Sequence, residues 1–143
     1  MFVIKPYESI GPIRFGMSKD ELVSVVGDPV RTSKNQHGEA NLQFAGFSVR
    51  LSKDDGGVVE VGVVPETPTV LGDVDVFLSP DSFAKLVKLD GEPWEYVGFV
   101  ILLNLGMTMT GFHDADESQK AITVFERGRL DHLRSQFNRF PVA

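Results

Sequence analysis

Gly11-Pro-Ile-Arg-Phe-Gly-Met-Ser-Lys-Asp-Glu-Leu22 lines up with Gly72-Asp-Val-Asp-Val-Phe-Leu-Ser-Pro-Asp-Ser-Phe83 at a constant offset of 61 residues. Downstream, Gly27-Asp-Pro29 is answered by Gly91-Glu-Pro93 after a three-residue insertion, and Leu42 and Phe44 by Leu103 and Leu105 at the original offset. Val59 and Val61 then correspond to Ile122 and Val124. An internal repeat constrains architecture more strongly than any short motif, because each copy must form the same supersecondary unit. The chain of 143 residues therefore reads as one domain built of two repeats, about 8–66 and 70–127.

Each copy carries the same punctuation. Ser18 stands three residues before Glu21, the spacing of a capping box, and Leu22, Val25 and Val26 follow as an apolar stripe, which predicts a helix over 18–26. Gly27 and Pro29 end it. In the second copy Ser79 is the expected cap, Pro80 the first helical residue, and Phe83, Leu86 and Val87 the stripe of a helix over 79–88. After each helix the period switches to two, predicting strands at 40–45, 47–51, 58–64, 94–96, 99–105, 107–110 and 121–125. The last segment places Leu130, Leu133 and Phe137 at helical spacing, so a C-terminal helix is expected over 129–140. The expected fold class is α+β: two tandem helix-plus-antiparallel-sheet repeats followed by that helix.

Alternation also assigns strand faces. In the first copy Leu42, Phe44, Val49, Leu51, Val59 and Val61 should face the helix, leaving Asn41, Gln43, Ser48, Arg50 and Glu60 on a polar outer face. In the second, Phe99, Ile101, Leu103, Met107, Met109, Ile122 and Val124 should go inward. The outer face would then hold Val100, Leu102, Asn104, Thr108, Thr110, Thr123 and Phe125, joined by Trp94 or Tyr96. Such a face is either covered by the C-terminal helix or used to bind a partner.

Composition narrows the function classes. The chain has no cysteine, which excludes thiol chemistry, disulfides and Cys-ligated metal centres. Lys5 and Pro6 stand where a signal peptide would carry its apolar run, and the longest apolar stretch, 97–103, is far short of a membrane span, so a cytoplasmic protein is expected. The net charge of -6 is uneven: residues 1–53 carry +2, residues 54–117 carry -11 and residues 118–143 carry +3. That balance disfavours nucleic acid and favours a partner with a basic surface. Asp54, Asp55, Asp114 and Asp116 fall where turns are expected; they read either as solvated loop residues or as a negative rim that steers a basic partner.

The helix-opening stretch Gly16-Met-Ser-Lys-Asp-Glu-Leu22, with Gly27-Asp-Pro29 behind it, resembles the signature of beta-lactamase-inhibitor-protein-like and SmpA-like repeats. The second copy departs from it, with Leu78 in place of the methionine and Ser82 in place of the glutamate. The resemblance implies short helices on a curved antiparallel sheet, and extends to small bacterial immunity proteins of contact-dependent growth inhibition and other polymorphic toxin systems. It implies a role in neutralising a toxin by direct contact, and carries no binding residue over.

The catalytic inventory is thin. His37, His113 and His132 are the only histidines, and only His113 lies beside carboxylates, in His113-Asp-Ala-Asp116. That group reads as a polar loop rather than a divalent-metal site, because its spacing matches no metal loop. No nucleophile elbow, phosphate-binding glycine loop or His-Glu-x-x-His pair is present. The expectation is a binding protein without catalysis, metal or cofactor, and with neither nucleic acid nor membrane as partner. Its partner would be a cognate toxin with a basic active-site surface, a nuclease toxin domain in the most concrete form. Candidate contact residues are Leu102, Asn104, Thr108 and Thr110 of the second sheet, the aromatics Trp94 and Phe125, and the loop acids Asp54, Asp55, Asp114 and Asp116. The alternative is a non-catalytic small-ligand or regulatory binding module.

Overall fold

The computed structural model describes residues 1–141. Strands β1 (Phe2–Lys5), β2 (Ser9–Ile10) and β3 (Ile13–Arg14) lead into helix α1 (Lys19–Val26), followed by β4 (Arg31–Lys34), β5 (Ala40–Phe44), β6 (Phe47–Leu51) and β7 (Val58–Val63). The second half runs β8 (Thr69–Leu71), β9 (Val74–Asp75), α2 (Ser82–Asp90), β10 (Trp94–Tyr96), β11 (Phe99–Leu102), β12 (Met107–Thr110) and β13 (Ala121–Phe125). A 3₁₀ turn over Asp131–Gln136 and a short strand, β14 (Asn138–Arg139), complete it. The fold is mixed α+β, with mostly antiparallel sheets and few helices.

Two sheets form. The small one has the order β3-β2-β1-β8-β9, and its β1–β8 pair is parallel, with Phe2 opposite Thr69. The large one, wholly antiparallel, has the order β14-β10-β11-β12-β13-β7-β6-β5-β4. Its two four-stranded meanders meet at the β7–β13 seam, where Val63 faces Ile122 and Glu60 faces Phe125. Gly11 and Gly72 turn the β2–β3 and β8–β9 hairpins with φ of 55° and 61°, left-handed values that a side chain would oppose.

Helix α1 opens as expected: Ser18 Oγ accepts from the Glu21 amide at 3.2 Å and Glu21 Oε1 accepts from the Ser18 amide at 3.0 Å. Helix α2 starts later than expected. Ser79 Oγ donates to Asp81 Oδ1 at 2.7 Å instead of capping, and the first helical residue, Ser82, is buried with its hydroxyl tied to the Val76 carbonyl. The core lies between one face of the large sheet and the layer of helices and small sheet. Leu22 and Leu86 from the helices, Ile10 and Ile13 from the small sheet, and Leu42, Val49, Met107 and Ile122 from the large one are all buried in one cluster.

Three further expectations are corrected. Strand β11 ends at Leu102 rather than at 105, and its residues in the central cluster are Val100 and Leu102, not Phe99, Ile101 and Leu103. All four residues of Phe99-Val-Ile-Leu102 are apolar, so alternation supplies no phase; the tight turn pairing Tyr96 with Phe99 supplies it, and a one-residue slip exchanges the faces. In β7, Val58 rather than Val59 joins the central cluster, because a bulge opposite Arg50 and Leu51 adds a residue. The expected α-helix over 129–140 is a 3₁₀ turn and a strand. The three-residue spacing of Leu130 and Leu133 suits a 3₁₀ turn as well as an α-helix, and beyond it the chain extends so that Arg139 pairs with Trp94.

Candidate functional site

The outer face of the large sheet divides at the β7–β13 seam. On the second half, residues 129–137 lie over the sheet as a strap that ends in the edge strand β14. Tyr96 Oη donates to Gln136 Oε1 at 3.3 Å, Arg139 stacks over the Trp94 ring at 5.0 Å, and Phe137 is buried. Between strap and sheet remains a cleft of about 220 Å³, walled by Phe99 and Ile101 on one side and Leu133 and Phe137 on the other, over Thr108 and Thr123. On the first half the face is open and polar, as alternation requires, with Asn41, Gln43 and Ser48 half-buried.

An ionic cluster fixes the strap at the seam. Arg129 donates to both oxygens of Glu39, at 2.6 and 3.0 Å, and through Nε to Glu60 at 2.9 Å. Its guanidinium holds the Glu39 carboxyl well below the usual range, at about 2, against the opposing effect of burial and with help from the Asn35 amide. Arg50 approaches Glu60 only to 3.7 Å, and its buried Nε has no hydrogen-bond partner.

The structure disperses the contact residues read from the sequence. Leu102 is fully buried in the core. Asn104 is exposed, but its amide and side chain bind Asp90, the former to Oδ1 at 2.9 Å and the latter to the carbonyl at 2.8 Å. Asp90 is buried, and that burial pushes its carboxyl up against the lowering effect of the backbone amides it accepts from Glu92, Asn104 and Leu105. Thr108 and Phe125 are buried beside the cleft, Thr110 donates to the Gln119 carbonyl at 2.9 Å, and Trp94 is half-buried.

The four loop acids are exposed but do not make one rim. Asp54 and Asp55 sit in the β6–β7 turn, beside the end of β13; Asp114 and Asp116 sit in the β12–β13 loop, beside the end of β7. Because β7 and β13 are antiparallel, the pairs lie at opposite ends of the sheet, about 20 Å apart for a six-residue strand. Locally, Asp55 accepts from the Gly57 amide at 2.8 Å, and Asp116 accepts from Ser118, capping the 3₁₀ turn Glu117–Gln119.

One end brings Asp114 and Asp116 together with features that sequence reading missed. The β10–β11 tip, Val97-Gly98, projects beside the β12–β13 loop, two strand spacings or about 10 Å away. Val97 and Phe99 are 76% and 42% exposed, and Asp114, Asp116 and Glu117 are exposed in the neighbouring loop. Val64, 37% exposed, and Glu66 follow β7 at the same end. The Val97-Gly98 dipeptide between two apolar runs is the one sequence signal that could have located this end.

Among the described residues, no three His, Asp or Glu side chains converge on a possible metal position. No helix is long and apolar enough to cross a membrane. No protein-family model matches the chain, and neither a curated protein nor a solved structure matches it.

Proposed function

We propose that the chain is an immunity protein that binds a cognate bacterial toxin, a nuclease toxin domain, and neutralises it by covering the active site with an acidic surface. The observation that carries this reading is the juxtaposition of exposed Val97 and Phe99 with the carboxylates of Asp114, Asp116 and Glu117 at one end of the large sheet. A nuclease cleft must attract phosphate, so it presents lysine and arginine; an acidic surface with an apolar centre is complementary to it. The reading involves no catalysis by this chain and places it in the cytoplasm, where such a toxin finds nucleic acid.

The same reading takes the two halves as copies of one unit. Each runs a two-stranded hairpin, a helix and a four-stranded meander, and the corresponding strands β7 and β13 meet antiparallel at the seam. A second reading, a small-ligand or regulatory module, is favoured by the cleft beneath the strap.

The test is to purify the chain with the product of the adjacent upstream reading frame and assay that product on RNA and DNA. Formation of a stable complex in which nuclease activity is lost supports the immunity reading. If the neighbouring product neither binds nor is inhibited, that reading falls and the cleft becomes the site to pursue.

A further inference from the structure

We infer that the β10–β11 hairpin tip is a docking anchor: Val97 and Phe99 enter an apolar recess on the partner protein, while Asp114 and Asp116 meet lysine and arginine side chains around that recess. This deepens the protein-binding reading above and rests on it.

The backbone of the tip is strained. Val97 has φ of 48° and Gly98 φ of 83°, so the two-residue turn needs left-handed conformations at both central positions, for which Asn-Gly is the favoured pair. A β-branched residue at the first of them opposes the turn it sits in. Only two other non-glycine residues among those described share a positive φ, Tyr7 and Ala115. Tyr7 is held by contacts that offset its strain: its hydroxyl donates to the Leu103 carbonyl, its ring packs against Phe125 at 6.0 Å, and Arg127 lies over it at 4.3 Å. Val97 has no such compensation, since its side chain is 76% exposed. Strain that the fold does not repay is a mark of a position kept for function.

The surroundings define what the tip fits. Ala115 belongs to the β12–β13 loop, so two of the three strained residues lie at this one end of the sheet. The only lysine or arginine of that loop, Lys120, is spent within it, 3.4 Å from Glu117 and 4.8 Å from the Phe112 ring centre. Asp114 and Asp116 have no basic partner among the described residues. A convex apolar tip beside uncompensated carboxylates requires a concave, apolar and basic counterpart. Nucleic acid and anionic lipid surfaces are repelled by the same charges.

Val97→Asn separates strain from packing, because asparagine adopts the left-handed conformation readily. The substitution should raise the thermal midpoint of the free protein by roughly 2–5 °C. The same variant should bind the neighbour-encoded toxin at least about tenfold more weakly, mainly through faster dissociation. Phe99→Thr, a strand-compatible truncation of the second anchor, should also speed dissociation, with folding verified by circular dichroism. Wild-type affinity in both variants overturns the anchor while leaving the immunity reading intact. An unchanged midpoint for Val97→Asn removes the strain argument and the proposal with it. Failure of the wild-type chain to bind the neighbouring product instead overturns the immunity reading, and this proposal falls with it.

Discussion

The Arg129 guanidinium engages both carboxylate oxygens of Glu39 across 90 residues of sequence, with Glu60 at its other edge. This contact ties the strap to the first half of the sheet, whereas the apolar residues of the strap rest on the second half. It is an ion pair with restricted access to water, Arg129 being 20% and Glu39 13% exposed at the side chain. Removing one member leaves the others desolvated without compensation. Arg129→Met should therefore cost about 2 kcal/mol of stability, a discounted figure for a pair that is only partly buried. Chemical denaturation measures the loss, and hydrogen exchange in residues 130–139 should rise with it.

The same pair sets an acid limit. Glu39 titrates near 2 in the folded chain instead of the ordinary 4.5. A depressed carboxyl contributes stability that is present in full above its unfolded value and is lost as pH falls toward its folded value. Glu39 should thus stabilise the fold above about pH 4.5 and cease to do so by about pH 2. Glu39→Gln should lower stability at neutral pH and flatten the decline across that window, read from denaturation midpoints at intervals of pH.

The central strands were legible because their residues alternate against polar neighbours: 47–51 and 121–125 were expected as they are found, and 40–45 ends one residue early. Helix α1 was legible because its cap is written in adjacent letters. The short strands were not. β2, β3 and β9 have two residues each, too few to show a period, and Arg31-Thr-Ser-Lys34 of β4 contains no apolar side chain. Nor was the Glu39–Arg129 pair, since no local pattern announces a contact made between distant parts of a chain. The failure to place the acids had a different cause. If 58–63 and 121–125 correspond in a repeat and pair antiparallel, the turns preceding them must point in opposite directions. The separation of Asp54 from Asp114 therefore follows from the antiparallel seam between β7 and β13, which no local pattern in the sequence announces.

The face assignment of β11 has its own measurement. Leu102 is fully buried among core residues, opposite Met107. Leu102→Ala should cost about 3 kcal/mol, the loss of a core leucine with partial collapse of the cavity. An outward leucine, as simple alternation would have it, should cost under about 1 kcal/mol. Equilibrium denaturation distinguishes the two outcomes without knowledge of any partner.

Charge reversal at the two ends of the sheet tests which end meets the partner. Exposed acids at the edge of an interface act mainly on the encounter, because their attraction extends about a Debye length, roughly 8 Å at physiological salt, and is weakened by added ions. Asp114→Lys combined with Asp116→Lys should slow association with a basic toxin by about tenfold at low salt and flatten the dependence of that rate on ionic strength. The dissociation rate should change much less, since it is governed by the buried contacts. Asp54→Lys combined with Asp55→Lys alters the net charge equally, but at the opposite end, about 20 Å away. Its effect on association should therefore be small once salt approaches the physiological range. Stopped-flow association at two ionic strengths compares the pairs directly. A larger effect from the Asp54 and Asp55 pair would transfer the interface to the β6–β7 end, and equal effects from both pairs would reduce the role of the acids to net charge alone.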